Sequence, residues 1–249
     1  MKQRVIATIL AVAIFVSWAS AQDINIIPTP QSAVVSGSGF TLSKHANIGT
    51  LDNELLPVAR YLAEHVNIGI TRSGGAIRLH LDTSLSAEEY RLEVTDSGVD
   101  IFGGAYGGVF NGAVTFLQLL SEGVYGDGCT LPTEVCCCVI EDSPRWSHRG
   151  FMLDVCRTWM DVEAIKEYIE LLAYHKINNL RLHLTDDEAW RIDIESHPEL
   201  AREGGFRGGD AKIWPRYGKW NERWGGYYTK QDIAEIVEYA RVRNITVIP

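Results

Sequence analysis

Arg157 lies three residues after Asp154, and Asp186 and Asp187 close a second short run that begins at His183. A guanidinium is a planar fork of N–H donors, suited to gripping hydroxyls or a carboxylate in fixed geometry. Acids beside it can orient that fork or serve proton transfer. Plainer readings use the same residues. Arg157 can form a salt bridge to Asp154 or Asp186, and the Asp pair can cap a turn. His183 alternates with Leu182 and Leu184, which suits a hydrogen-bonded histidine of the core. Three metal candidates on one short run rarely converge, so His183, Asp186 and Asp187 are not read as a metal site, and no cofactor is expected. Trp190, Trp214, Trp220 and Trp224 could stack on sugar faces, although packing in the core or in loops is the simpler expectation.

The elements that must position these groups are legible around them. Ala164, Ile165, Tyr168, Ile169 and Leu172 recur at helical spacing, with Asp161 as N-cap and Glu163 in the first turn. Short apolar runs flank this helix, Gly150 to Val155 and Asn179 to Thr185, as buried strands would. Strand, helix and strand in so few residues make a βαβ unit with parallel neighbouring strands. The charged groups collect where each strand ends, and the carboxyl ends of parallel strands are where such folds bind ligands.

Upstream, residues 22–143 read as an α+β domain. A helix is marked by Leu55, Val58, Ala59, Leu62 and Val66, and a half-buried strand by Ile77, Leu79 and Leu81. A hairpin turns at Asp96-Ser97-Gly98, and a second helix runs over roughly 106–120. No acids, bases or nucleophiles gather in this part. The boundary falls in the polar run Glu141 to Arg145, and residues 144–249 begin the second domain. A long connection from Ile192 to Tyr228 is read without elements of its own. Thr229-Lys-Gln-Asp then opens a helix with a capping pattern, and Ile245 to Ile248 starts a third strand. The expected architecture is an α+β N-terminal domain followed by the first two and a half βα units of a (β/α)8 TIM barrel. A closed barrel takes eight strands over about 250 residues, so the chain is read as a fragment of a longer protein.

Residues 1–21 read as a secretory signal peptide: Lys2 and Arg4, an apolar run from Val5 to Val16, then Ala19-Ser20-Ala21. That run is too short to span a membrane, and an exported protein, secreted or periplasmic, is expected. The chain carries 23 basic against 32 acidic residues. The excess of acid argues against non-specific nucleic-acid binding. Five cysteines, three of them consecutive at Cys136, Cys137 and Cys138, read as small buried hydrophobes, with a link from Cys129 to the triplet left open. Oligomeric state is not legible.

Arg149-Gly-Phe-Met-Leu-Asp-Val-Cys-Arg157 and His183-Leu-Thr-Asp-Asp-Glu-Ala-Trp-Arg191 resemble the opening of the barrel domain of family 20 glycoside hydrolases, the β-N-acetylhexosaminidases. Gly226-Tyr-Tyr-Thr229 is similar too, as are upstream Ile26-Ile-Pro-Thr-Pro-Gln31, Gly108 to Leu120 and Glu141 to Trp146. The resemblance implies a retaining hydrolysis in which the substrate's own 2-acetamido oxygen attacks the anomeric carbon. The substrate would be a glycan or glycoconjugate ending in β-linked N-acetylhexosamine. It implies that Arg157 binds hydroxyls of the terminal sugar and that Asp186 supports the acid/base machinery. The family's adjacent Asp-Glu pair lies in an H-x-G-G-D-E motif that this sequence lacks, since Gly208-Gly209-Asp210 is followed by Ala211. No catalytic residue is therefore assigned, and the chain alone is expected to be inactive. The chain also departs from the family's Ser-Arg-His with Cys156-Arg157-Thr158. The competing reading is a non-catalytic carbohydrate-binding or structural remnant of such an enzyme.

Overall fold

The computed structural model describes residues 24–120, 129–216 and 218–249. The leader expected over residues 1–21 lies outside them. The first unit opens with β1 (Ser32–Leu42), whose Ser-Gly-Ser-Gly centre carries a register shift between Val35 and Gly39. After β2 (Asn47–Gly49), a 3-10 turn leads into α1 (Leu56–Val66). Pro57 sits in its first turn, where a missing N–H leaves no helical bond unmade. Val58, Ala59, Leu62 and Val66 form its buried stripe, and Asn67 ends it in the left-handed region at φ 53°. Then come β3 (Gly69–Thr71), β4 (Ile77–Leu81), β5 (Tyr90–Thr95), β6 (Gly98–Gly103), α2 (Tyr106–Leu119) and β7 (Thr133–Asp142).

These strands form one mixed sheet in the order β1-β7-β5-β6-β4-β2-β3. Pairing is antiparallel from β1 to β6 and parallel from β6 to β3. The helix α2 is buried along most of its length rather than on one stripe. It lies on the sheet and also meets the second unit, where Tyr106 donates to the Val242 carbonyl and Gln118 to that of Tyr174. Its glycines allow the close approach: a Cβ on Gly108 would collide with the Glu89 carbonyl. The strands β1, β2, β3 and β7 were not among the sequence expectations.

The second unit contains β8 (Gly150–Asp154), α3 (Val162–Tyr174), β9 (Asn179–His183), α4 (Pro198–Gly204), a ribbon of β10 (Phe206–Arg207) with β11 (Trp224–Gly225), α5 (Lys230–Val242) and β12 (Thr246–Ile248). The connection from Ile192 to Tyr228 is thus not free of elements. Its α4 and ribbon are too short to produce a readable period. The strands β8, β9 and β12 form a parallel sheet with β9 central. Leu153, Leu180 and Leu182 are buried, whereas Met152, Arg181 and Ile248, which share a register row, are exposed. One contiguous apolar core runs from Ile26 through both units to Ile245. Among the described residues, no helix is long and apolar enough to cross a membrane.

The cysteine link left open by the sequence does not form, and all five thiols are free. Burial beside Cys136 and Cys137 pushes the Cys138 thiol up to about 12, which makes it unreactive.

Candidate functional site

The loops that follow β8 and β9 meet at the carboxyl ends of their strands. Asp154 is the last residue of β8 and His183 the last of β9, and the two are register partners. Beyond them Cys156 N–H donates to the His183 carbonyl, so the two chains stay paired as they leave the sheet. The run from Leu184 to Arg191 then folds back on itself. Asp186 N–H bonds the Ala189 carbonyl at 3.1 Å and Arg191 N–H the Leu184 carbonyl at 2.9 Å. This tight return brings the Asp pair over the end of β8.

Arg157 stands at the centre. Its Nη1 donates to Asp154 Oδ2 and its Nη2 to Asp186 Oδ2, each at 2.7 Å. Its Nε lies 3.7 Å from Asp187. The Arg157 backbone N–H also reaches Asp154 at 3.0 Å, which fixes the loop as well as the side chain. Both salt bridges weighed as alternatives from sequence therefore form at once. The side chain remains 42% exposed. A guanidinium has two N–H on each Nη, so one on each remains beyond those the two carboxylates accept.

Asp186 is the hub of the acidic side. It accepts from His183 Nε2 at 2.8 Å and from the Asp187 backbone N–H at 2.6 Å, as well as from Arg157. The Asp187 N–H first, then His183 and Arg157, hold its carboxyl far below the usual carboxylate range. Asp186 is thus an anion that orients its neighbours and carries no proton to donate. Burial works to raise the Asp154 carboxyl, but the Arg157 backbone and guanidinium outweigh it and keep it below its ordinary value. His183 is half-buried and bonded, as a core histidine would be, yet its partner is a residue of the site. Among the described residues, no group of three or more His, Cys, Asp or Glu is placed to hold a metal ion.

Sequence reasoning missed the supports. Arg191 is fully buried. It donates to the carbonyls of Val155, Cys156, Gly205 and Gly226 over 2.5–3.2 Å, with the Trp159 and Trp224 rings facing it. Burial pushes its pKa down to about 10, so it remains a cation near neutrality. One side chain thereby ties the loop after β8 to both ends of the ribbon region. Glu188 is also buried and accepts the Arg216 backbone N–H at 3.0 Å, while the Arg216 guanidinium reaches Asp187. Only the Arg at the end of His183 to Arg191 was visible beforehand, not its burial.

The four tryptophans separate. Trp190 and Trp224 are half-buried with their indole N–H bonded to the Ile192 and Lys219 carbonyls. Trp214 and Trp220 are exposed. Gly208 and Gly209 take positive φ at 70° and 57° in the turn out of the ribbon. Asp210 there is exposed and 3.8 Å from Arg223.

Residues 146–249 match the family described as glycosyl hydrolase family 20, catalytic domain, and residues 23–143 match glycosyl hydrolase family 20, domain 2. A beta-hexosaminidase of Porphyromonas gingivalis is 38% identical over 240 residues, covering 91% of this chain and 30% of the relative. Another from Vibrio furnissii is 38% identical, covering 92% and 37% respectively. A solved exo beta-N-acetylglucosaminidase from Vibrio harveyi, in complex with N-acetylglucosamine, superposes with a TM-score of 0.83 at 35% identity, covering 90% of this chain and 35% of that one. A mutant Streptomyces plicatus beta-hexosaminidase in complex with product (GlcNAc) gives 0.80 at 36% identity, with 90% and 45% covered. The chain spans about a third of the length of the curated relatives it matches.

Proposed function

The chain belongs to glycosyl hydrolase family 20, and we propose that it is the N-terminal portion of an exported enzyme removing terminal β-linked N-acetylhexosamine. In this reading residues 22–143 form the N-terminal domain and residues 144–249 open a TIM barrel. Hydrolysis follows the substrate-assisted retaining route, with the acetamido oxygen as nucleophile. Arg157 grips hydroxyls of the terminal sugar, and the anion Asp186 supports the acid/base machinery through its neighbours. The observation that carries the reading is the fixed guanidinium. Two carboxylates at 2.7 Å set its plane and leave an N–H on each Nη for a ligand.

The polarising acid and the general acid of the family lie in an H-x-G-G-D-E motif outside this sequence. The 249-residue chain is therefore expected not to hydrolyse an aryl N-acetyl-β-glucosaminide, since loss of an acid/base group alone lowers rate by about 10²–10⁴. Turnover matching a full-length relative would overturn the assignment of roles. In a form extended to carry the Asp-Glu pair, Arg157→Lys should keep the fold and lower kcat/KM by about tenfold or more, because Lys supplies charge without the fork. Kinetics within about twofold of the parent, beside an unchanged thermal melt, would reduce Arg157 to an ion-pair partner. The second reading is a non-catalytic carbohydrate-binding or structural remnant of such an enzyme. It predicts sugar binding that Arg157→Lys weakens, with no extended form that turns over.

A further inference from the structure

A cavity of about 290 Å³ opens where the first unit meets the second. The exposed Arg145 and Trp146 line its mouth, and the buried Tyr90, Asn111 and Lys176 line its depth. Lys176 precedes the start of β9, whereas the Arg157 cluster stands beyond the other end of that strand. The cavity is thus separate from the candidate sugar site and does not depend on how that site is read.

The backbone at Lys176 is unusual for a lysine. It follows the end of α3 at φ 56°, in the left-handed region that favours glycine or asparagine. Among the described residues, the other non-glycine positions with positive φ are Asn67 and Asn244, which follow α1 and α5. A lysine at this turn is explained by its side chain rather than by the turn. Its Nζ donates to the Tyr90 hydroxyl at 3.1 Å and lies 3.9 Å from Asp142 Oδ2. The same hydroxyl reaches Asp142 Oδ2 at 3.4 Å, so a proton leaving the nitrogen has a two-step route to a carboxylate. Burial, against the pull of Asp142 and with the push of the Arg149 guanidinium, lowers the amine pKa to about 8. Burial also raises the Tyr90 hydroxyl, which stays a neutral proton carrier. A desolvated lysine beside a hydroxyl and a carboxylate is equipped to condense with a carbonyl compound. The size of the cavity limits that compound to a small one.

We propose that the cavity captures small aldehydes as an imine of Lys176. The nitrogen lone pair forms a bond to the carbonyl carbon while the C=O π pair moves to oxygen. Tyr90 and Asp142 pass the protons of the nitrogen to that oxygen, which leaves as water. One amine and one aldehyde therefore give one imine and one water.

Reductive trapping of the folded chain tests this, with acetaldehyde and cyanoborohydride near pH 7.5 and peptide mass mapping as the readout. Lys176 should be alkylated at least about tenfold faster than the exposed Lys212, Lys219 and Lys230, since each unit of pKa lowering gives a tenfold larger share of free amine. In guanidinium chloride that preference should vanish, because it belongs to the cavity and not to the neighbouring sequence. An aldehyde borne on oxidised dextran, too large to enter, should label the three exposed lysines and spare Lys176. Lys176 labelled no faster than the exposed lysines, a preference that persists in denaturant, or equal labelling by the polymer would each overturn the capture site.

Discussion

Lys176 shows how much a single buried charge can set. It is 7% exposed, donates to the Tyr90 hydroxyl at 3.1 Å and lies 3.9 Å from Asp142. Burial lowers its pKa from 10.5 to about 8, Asp142 pulling it up and the Arg149 guanidinium pushing it further down. Between those two values the unfolded chain binds more protons than the folded one, so stability rises with pH across the window and is lost as pH falls toward 8. The contribution is on the order of 3 kcal/mol at full extent. Lys176→Met should flatten the rise and raise Tm near neutrality, because Asp142 keeps the Gln31 N–H and the Tyr90 hydroxyl as partners. Melts taken from pH 7 to 9.5 decide it, and equal slopes in both proteins would refute it.

Elements hold the site through their ends. The helix α3 starts at Asp161, whose Oδ1 accepts the Ala164 N–H at 2.9 Å, four residues beyond Arg157. The helix α5 starts with a complete capping box. Thr229 Oγ1 accepts the Asp232 N–H at 3.2 Å, and Asp232 Oδ2 accepts the Thr229 N–H at 2.8 Å. Both caps were legible because they are local. Replacing Asp161 or Thr229 by Ala should each lower unfolding free energy by about 1 kcal/mol, and the two should add because they cap different helices. Urea titrations with unchanged m-values would report this. A loss under about 0.3 kcal/mol would mean that packing alone sets these helix starts.

Across the whole molecule, one carboxylate gathers the strand starts of the second unit. Glu88, on the loop between β4 and β5, accepts from Arg149 at 2.7 and 3.0 Å, from Asn178 at 3.2 Å and from Asn244 at 3.1 Å. Those residues stand just before β8, β9 and β12. Partial burial works to raise the Glu88 carboxyl, but Arg149 first, then Asn244 and Asn178, hold it below its ordinary value. Its stabilising effect is therefore present above the ordinary value of 4.5 and lost as pH falls below it. Glu88→Ala should cost about 1–3 kcal/mol by stranding these donors. The loss should fall on residues 144–249, seen as a low-temperature shoulder in calorimetry and faster proteolysis there. A single sharp transition at the parent temperature would mean that the shared apolar core alone joins the two units.

Residue order by itself determined what short range controls. The buried stripes of α1 and α3 follow a 3.6-residue period, and Asp161 and Thr229 cap within one turn. The parallel pairing of β8 with β9 follows from the short helix between them, and that pairing carries Asp154 and His183 to one edge. Arg157 and Asp186 were therefore legible as neighbours. Tertiary structure decided whatever depends on partners far along the chain. The strand β7 slots between β1 and β5, although its Thr-Glu-Val-Cys-Cys-Cys sequence has no clear alternation. Arg191 reads as an ordinary charged residue until backbone carbonyls from three segments surround it. Trp190 and Trp224 are half-buried with bonded indole N–H groups whereas Trp214 and Trp220 are exposed, a division that no local period encodes. Local backbone preference fixes elements, whereas burial and the pairing of distant polar groups fix which side chains a ligand can meet.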